Sequence, residues 1–391
     1  MDHYLAEFRS FGRRWGFVAL TALLLAPAGG QTLPRVICQR LQSGAIQPQS
    51  AVDSSGRVHV VFYRGPAQAG NLYYERLAQD GAVQVGPIRV NSVPGTALAT
   101  GTVRAAQIAV GRGGAVYVAF NGLGPKSAAG YPEMYEAFTR IPAGGSSFLP
   151  QRNLVSRAGG LDGGGSVAAD GRGNVWVAWH ALAGARSEAR AGVWLAHSHD
   201  DGITFSPEHR IDPGELGACG CCGMRMLAGG NGLLAVLYRT ARAGVERDTM
   251  LLVSHDDGAS FSANILDRWR ISACPMSTYS LLLSAGRLFA AWETHGQVRM
   301  ARIGANGRAA YAPVGPASDS ARHPVLAAAP DGTILLAWAQ GSGWEQGGSV
   351  GWQLYRPDGT PLGAAGSAAG LPVWGIATGW YDGSSGFRLL W

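Results

Sequence analysis

Four cysteines are the residues of this chain best placed to do chemistry. Three stand together in Ala218-Cys219-Gly220-Cys221-Cys222-Gly223-Met224-Arg225-Met226, and the fourth is in Ser272-Ala273-Cys274-Pro275-Met276. Thiolates and thioethers are soft ligands. Cys219, Cys221, Cys222 and Cys274, with Met224 and Met276, therefore suit copper first, as copper(I), and zinc second. His323, before a later strand, offers an imidazole to the same set. The spacing matches none of the usual zinc patterns. A disulfide staple is the competing reading, because an oxidising compartment would join Cys274 to Cys219, Cys221 or Cys222 and stabilise the fold by about 2–4 kcal/mol. Redox-active thiols are a third. Five cysteines leave at least one unpaired, and Cys38 is the expected odd one.

Both cysteine segments end where an apolar run begins, so the elements that position them are strands. Seven hairpin signatures, each with a Gly-containing turn, are legible at 50–63, 107–120, 166–179, 225–238, 281–292, 325–338 and 373–391. They recur about every 45–60 residues. Third strands follow at 72–77, 134–139, 192–198, 250–254, 298–303 and 351–355, and the seventh unit stops before its own. Short strands, 58 glycines, 12 tryptophans and little helical periodicity give an all-β class. Four strands per unit at this period predict a β-propeller of six or seven four-stranded blades, with seven favoured. In such a ring the segments leading into successive inner strands converge on one face, which would bring the cysteines together.

The N-terminus is of another kind. Arg9, Arg13 and Arg14 precede an apolar run at 15–25, and Ala26-Pro27-Ala28 supplies the small residues of a cleavage site. Residues 1–28 are therefore expected to be a signal peptide, and 29–391 a single propeller domain in the periplasm or outside the cell. A lone strand at 35–41 is expected to close the last blade, in the place of a fourth strand. No further span is expected once the signal is cleaved. Net charge is +6, yet Lys126 is the only lysine and the arginines are scattered, which argues against nucleic acid. No nucleotide loop or heme motif is found.

SHDDGITF at 198–205 and SHDDGASF at 254–261 resemble the Asp-box of sialidases and other BNR-repeat propellers. Their defining positions are Ser198, Asp200, Gly202, Thr204 and Phe205, and Ser254, Asp256, Gly258, Ser260 and Phe261. The segment 139–148 looks like a decayed relative and 357–360 like a remnant. The resemblance implies a sialidase-like propeller with the box at the turn between third and fourth strands. Cys-x-Cys-Cys together with Ala-Cys-Pro is also similar to a pattern in exported bacterial BNR-repeat proteins.

A sialidase site, if the resemblance extended to activity, would need three arginines for the substrate carboxylate, a tyrosine nucleophile with a glutamate partner, and an aspartic acid. Arg239, Arg247, Asp248, Tyr279 and Glu293 are the candidates by type and position. The one Arg-Ile-Pro, at 140–142, falls on a blade turn, away from where the family's motif belongs. The leading expectation is a ligand- or metal-binding module acting through the Cys-rich face, with an exo-sialidase or related glycoside hydrolase as the alternative. A glycan, another small ligand or a protein is the partner expected there, with Trp344 and Trp374 the residues best suited to stack on a sugar.

Overall fold

Runs such as VWVAWHA (Val175–Ala181) are buried along their whole length because the strand is covered on both faces. The same holds for Leu234–Arg239 and, in all but its last residue, for Ile334–Gln340. Each is the second strand of a small antiparallel sheet, flanked by its own neighbours and sandwiched between adjacent sheets. The outermost strands, such as Val83–Arg89, are largely exposed and correspondingly less apolar. The computed structural model describes residues 33–391 apart from 127–131, 317 and 385. The signal peptide expected over 1–28 lies outside the described residues.

Residues Pro34–Trp391 form one compact unit of seven sheets, the blades of a propeller. Blade 1 is Ala45–Val52, Val58–Arg64, Asn71–Leu77 and Val83–Arg89. Blade 2 is Gln107–Val110, Val116–Lys126, Pro132–Ile141 and Arg152–Asn153. Blade 3 is Gly165–Ala169, Val175–Ala181, Gly192–Ser198 and His209–Arg210. Blade 4 is Arg225–Ala228, Leu234–Arg239, Thr249–Ser254 and Ser262–Asp267. Blade 5 has three strands, Ser280–Ser284, Arg287–Thr294 and Gln297–Ile303. Blade 6 is Ala321–Ala328, Ile334–Gln340, Gly348–Tyr355 and Pro361–Leu371. Inner strands of successive blades pack side by side around an axis, and Ala45–Val52 touches Thr378–Tyr381 of blade 7 to complete the ring.

Blade 7 is Thr378–Tyr381, Gly386–Leu390 and the N-terminal strand Arg35–Gln39, which pairs parallel to Gly386–Leu390. The N-terminal strand runs in the direction of a fourth strand but occupies the third place. Gly386–Leu390 pairs with Thr378–Tyr381 along one edge and with this strand along the other. The seam is sealed by Trp380 and Leu390 packing on Ala45, Val58, Val60, Phe62 and Leu77 of blade 1. The indole of Trp380 also donates to the carbonyl of Gln79 at 2.9 Å.

The two Asp-boxes close identically. Asp200 accepts from the Thr204 amide (2.8 Å) and hydroxyl (2.7 Å), and the Ser198 hydroxyl accepts from the Gly202 amide (2.9 Å). Asp256, Ser260, Ser254 and Gly258 repeat the pattern. Hydrogen bonds from Thr204 outweigh burial and hold Asp200 well below the usual carboxylate range. The turns also lock neighbouring blades together: Phe205 sits edge-on to Phe138 of blade 2 at 4.9 Å, and Trp176 of blade 3 donates to the Asp257 carbonyl at 2.9 Å. The remnant at 357–360 keeps one such bond, Thr360 amide to Asp358 at 2.9 Å.

Candidate functional site

The segments leading into the inner strands meet on one face, and the antiparallel order of the blades puts the Asp-box turns on the other. Non-glycine residues at positive φ recur in those segments: Gln47 (55°), Thr102 (60°), Met276 (52°), His323 (53°) and Trp374 (61°). Strain of this kind, about 1–3 kcal/mol per residue, persists only where neighbours over-determine it, and it concentrates at functional sites. Gly164 takes the same conformation in blade 3, where a Cβ would lie 2.5 Å from the Cys222 carbonyl oxygen.

Cys219, Cys221 and Cys222 are the centre of this face. Their sulfurs lie within 4.8 Å of one another, with Cys219 at 3.4 Å from Cys221 and 3.1 Å from Cys222. All three are buried, and Ala241 and Met276 pack against them. The segment is pinned by bonds from the Cys219 amide to the Arg239 carbonyl (2.9 Å) and from the Gly223 amide to the Ser277 carbonyl (2.8 Å). The three thiols titrate as a unit. Burial raises Cys222, but the sulfur contacts from Cys219 and Cys221 and the Arg239 guanidinium outweigh it and hold this thiol well below its usual range. The same contacts raise Cys221. Deprotonated thiols are the form that binds metal.

Around the sulfurs stands a shell of buried polar groups. Arg239, 1% exposed, donates to the carbonyls of Arg247 (2.7 Å) and Glu293 (2.5 Å) and lies over the rings of Trp269 (4.9 Å) and Tyr279 (5.7 Å). Burial alone would lower its guanidinium; Tyr279, Cys222 and Glu293 outweigh that and raise it, so the cation persists. Arg247 donates to Glu188 at 2.9 Å, and Glu188 also accepts from the Gly220 amide at 2.9 Å. Glu293 accepts from the Ser277 hydroxyl, and burial pushes its carboxyl up. The phenol of Tyr279 and the Nε atoms of Arg239 and Arg247 are buried without a hydrogen-bond partner among the described residues. Orphaned donors beside a thiolate group fit a site that holds an additional charged species.

No protein-family model matches this sequence, and no characterised protein matches it in sequence. Solved structures do match in shape. A protein of unknown function from Dyadobacter fermentans superposes with a TM-score of 0.55 at 14% identity, over 85% of this chain and 96% of that one. The Penicillium chrysogenum α-L-arabinanase, complexed with arabinobiose, gives 0.51 at 10% identity over 80% and 94%. A Hadza microbial sialidase gives 0.49 at 15% identity over 81% and 70%. The fold is a seven-bladed β-propeller. At these identities the likeness carries the fold alone, and the chemistry rests on residues.

The propeller brings together most of the residues singled out by type, with corrections. The staple from Cys274 is not made: all five cysteines are free, and Cys274 is exposed and lies outside the three-sulfur group. Met276 of the same segment, at positive φ, packs against the cluster in its place. Met224 packs with Met226 and Met250 in the core between blades 3 and 4, away from the sulfurs. His323 lies across the axis, its two ring nitrogens each 3.2 Å from the hydroxyls of Thr102 and Thr278. Burial and Arg322 lower it to about 3, so it is neutral.

Arg239, Arg247, Tyr279 and Glu293 converge beside Cys222. Asp248 stands apart, accepting from the Trp269 amide at 3.0 Å. Trp344 and Trp374 meet edge-to-face at 4.7 Å in a shallow cleft that includes Met276, Arg322 and His323. Sequence reasoning missed Glu188, Thr102 and the hydroxyl pair Ser277–Thr278. For the pair the signal was present, two hydroxyls between Met276 and an inner strand. For Glu188, on a short turn in the connection inside blade 3, there was none.

Proposed function

We propose that the chain is an exported, metal-binding propeller whose centre is the thiolate group of Cys219, Cys221 and Cys222, with copper(I) preferred and zinc second. The observation that carries this reading is the clustering of three buried sulfurs within 4.8 Å, all from one four-residue segment. Met276 supplies a thioether at the edge of the group, and Arg239 and Arg247 offset its charge. Soft sulfur ligands select copper(I) over harder ions. Such an ion, when bound, would be carried in a thiolate-rich, largely water-excluded site. The export signal expected at residues 1–28 supports a role in the periplasm or outside the cell, where a metal-exchanging protein is the partner the exposed rim would meet.

The test is the metal content of protein isolated without chelator, with its thiols counted by alkylation under denaturing conditions. One copper or zinc per chain, lost in Cys222→Ser, is expected. Two thiols, or four, that resist alkylation until reduced, with no metal, would replace the reading by disulfides.

A second reading rests on the convergence of Arg239, Tyr279 and Glu293, a set of the types a sialidase uses, on a fold shared with glycoside hydrolases. Against it, Arg239 spends donors on backbone carbonyls and is 1% exposed. Turnover of an aryl sialoside or arabinoside that disappears in Tyr279→Phe would favour it. Retention on a glycan array that is lost in Trp344→Ala, without turnover, would instead make the exposed Trp344–Trp374 cleft a lectin-like site.

A further inference from the structure

We propose that the axial channel beneath the sulfur face is a binding site for a small oxyanion, with Arg225 as its anchor. The channel encloses about 640 Å³ and extends from Thr102, Thr278 and His323 at the Cys face to the hairpin turns of blades 5 and 6. A volume of this order is that of a small-molecule site. The hydrogen bonds of His323 to Thr102 and Thr278 span three blades and close the upper end.

Arg225, from the inner strand of blade 4, lines this channel and reaches the inner strands of blades 1 and 2. Its Nη1 donates to the side-chain oxygens of Gln49 (2.8 Å) and Gln107. Both partners are neutral amides. No aspartate or glutamate lines the channel among the described residues, and Arg225 forms no ion pair among them. Its Nε and Nη2 make no hydrogen bond there. A guanidinium in a confined channel without a carboxylate is an unbalanced charge, and burial pulls it down only to about 10, so it stays cationic at neutral pH. The planar fork left free is suited to two oxygens of a carboxylate or an inorganic oxyanion.

Ser280 supplies a second donor on the channel wall. Its oxygen accepts from the Leu326 amide at 3.0 Å, which leaves its own proton for a ligand. Val103, Leu281 and Ile376 give the same channel an apolar wall. A bare phosphate or sulfate would fill a fraction of the volume, so a small organic carboxylate, with its body against that wall, is the favoured occupant.

The test is calorimetric titration of metal-free wild-type protein with succinate, benzoate, phosphate, sulfate and chloride at constant ionic strength. Saturable binding of at least one oxyanion is expected. It should weaken by at least about tenfold in Arg225→Gln, weaken in Arg225→Lys, which keeps the charge but loses the fork, and persist in Cys222→Ser. Tighter binding of benzoate or succinate than of phosphate supports the carboxylate. Absence of saturable binding at millimolar concentration, or affinity unchanged in both Arg225 variants, overturns the site. Equal binding of chloride overturns the oxyanion class. If Arg225→Gln does not fold, the Arg225→Lys comparison decides.

Discussion

Replacing Arg239 by Met removes the cation beneath Cys222 while keeping the volume of the stem. Two charge-assisted hydrogen bonds, to the carbonyls of Arg247 and Glu293, are lost. Each is worth about 1.5–3 kcal/mol. Stacking on Trp269 and Tyr279 adds about 1–2 kcal/mol. Against this, an apolar side chain avoids the desolvation of a buried charge, a gain of about 1–4 kcal/mol. The hydrogen bonds and stacking outweigh that gain, because removing the cation also leaves both carbonyls without their donor. At the middle of each range the net loss is about 3.5 kcal/mol. Unfolding entropy of about 2.1 cal/mol/K per residue over the unit Pro34–Trp391 converts this to a fall in Tm of about 3–5 °C. The same change raises the Cys222 thiol, so the pH midpoint for alkylation of the metal-free protein should move up. Urea unfolding followed by tryptophan fluorescence, with the alkylation profile, checks both. A variant within about 0.5 kcal/mol of wild type, with an unmoved midpoint, would refute the coupling of Arg239 to the thiolate.

The Asp-boxes give a pH-dependent prediction. Asp200 and Asp256 are depressed in the folded state, Asp256 to about 2 from an ordinary 3.8, so their contribution is present above the ordinary value and fades as pH falls through the folded one. In Asp200→Asn/Asp256→Asn the thermal midpoint should be lower at neutral pH, and the gap to wild type should close as pH falls below 3.8 towards 2; a constant gap would show the carboxylates are not the cause. Gly202→Ala places a Cβ 2.8 Å from Phe138 at φ +76°. The left-handed conformation and the overlap should together destabilise by about 2–4 kcal/mol, read as a shift in urea midpoint. A neutral result would mean that the turn and blade 2 are not locked together.

Much of the architecture was legible because each blade repeats a local code. The aromatic ends of the second strands and the Ser-x-Asp-x-Gly boxes identify hairpin and turn in one unit, and seven repetitions fix the ring. The third-place position of Arg35–Gln39 was not legible, since sequence gives a strand's pattern without the edge it will meet. At the site, convergence on one face followed from topology, which put Cys219, Cys221 and Cys222 beside the 274–276 segment. Which side chain of that segment turns inward did not follow. Met276, at positive φ, is the residue that packs on the cluster, and a non-glycine residue carries no mark of that conformation in the sequence. Glu188 reaches Gly220 and Arg247 from a connection whose path depends on the assembled blades. Arg225 read as the start of a strand, and only the closed ring shows it facing a channel without a carboxylate.

The most direct measurement is X-ray absorption at the copper edge of protein loaded anaerobically with one equivalent of copper(I). Sulfur as the sole directly bonded scatterer is expected in wild type, with at least one sulfur lost in each of Cys219→Ser, Cys221→Ser and Cys222→Ser and none lost in Cys274→Ser. A first shell dominated by nitrogen or oxygen, or one unchanged in those three variants, would contradict a metal centre at Cys219, Cys221 and Cys222.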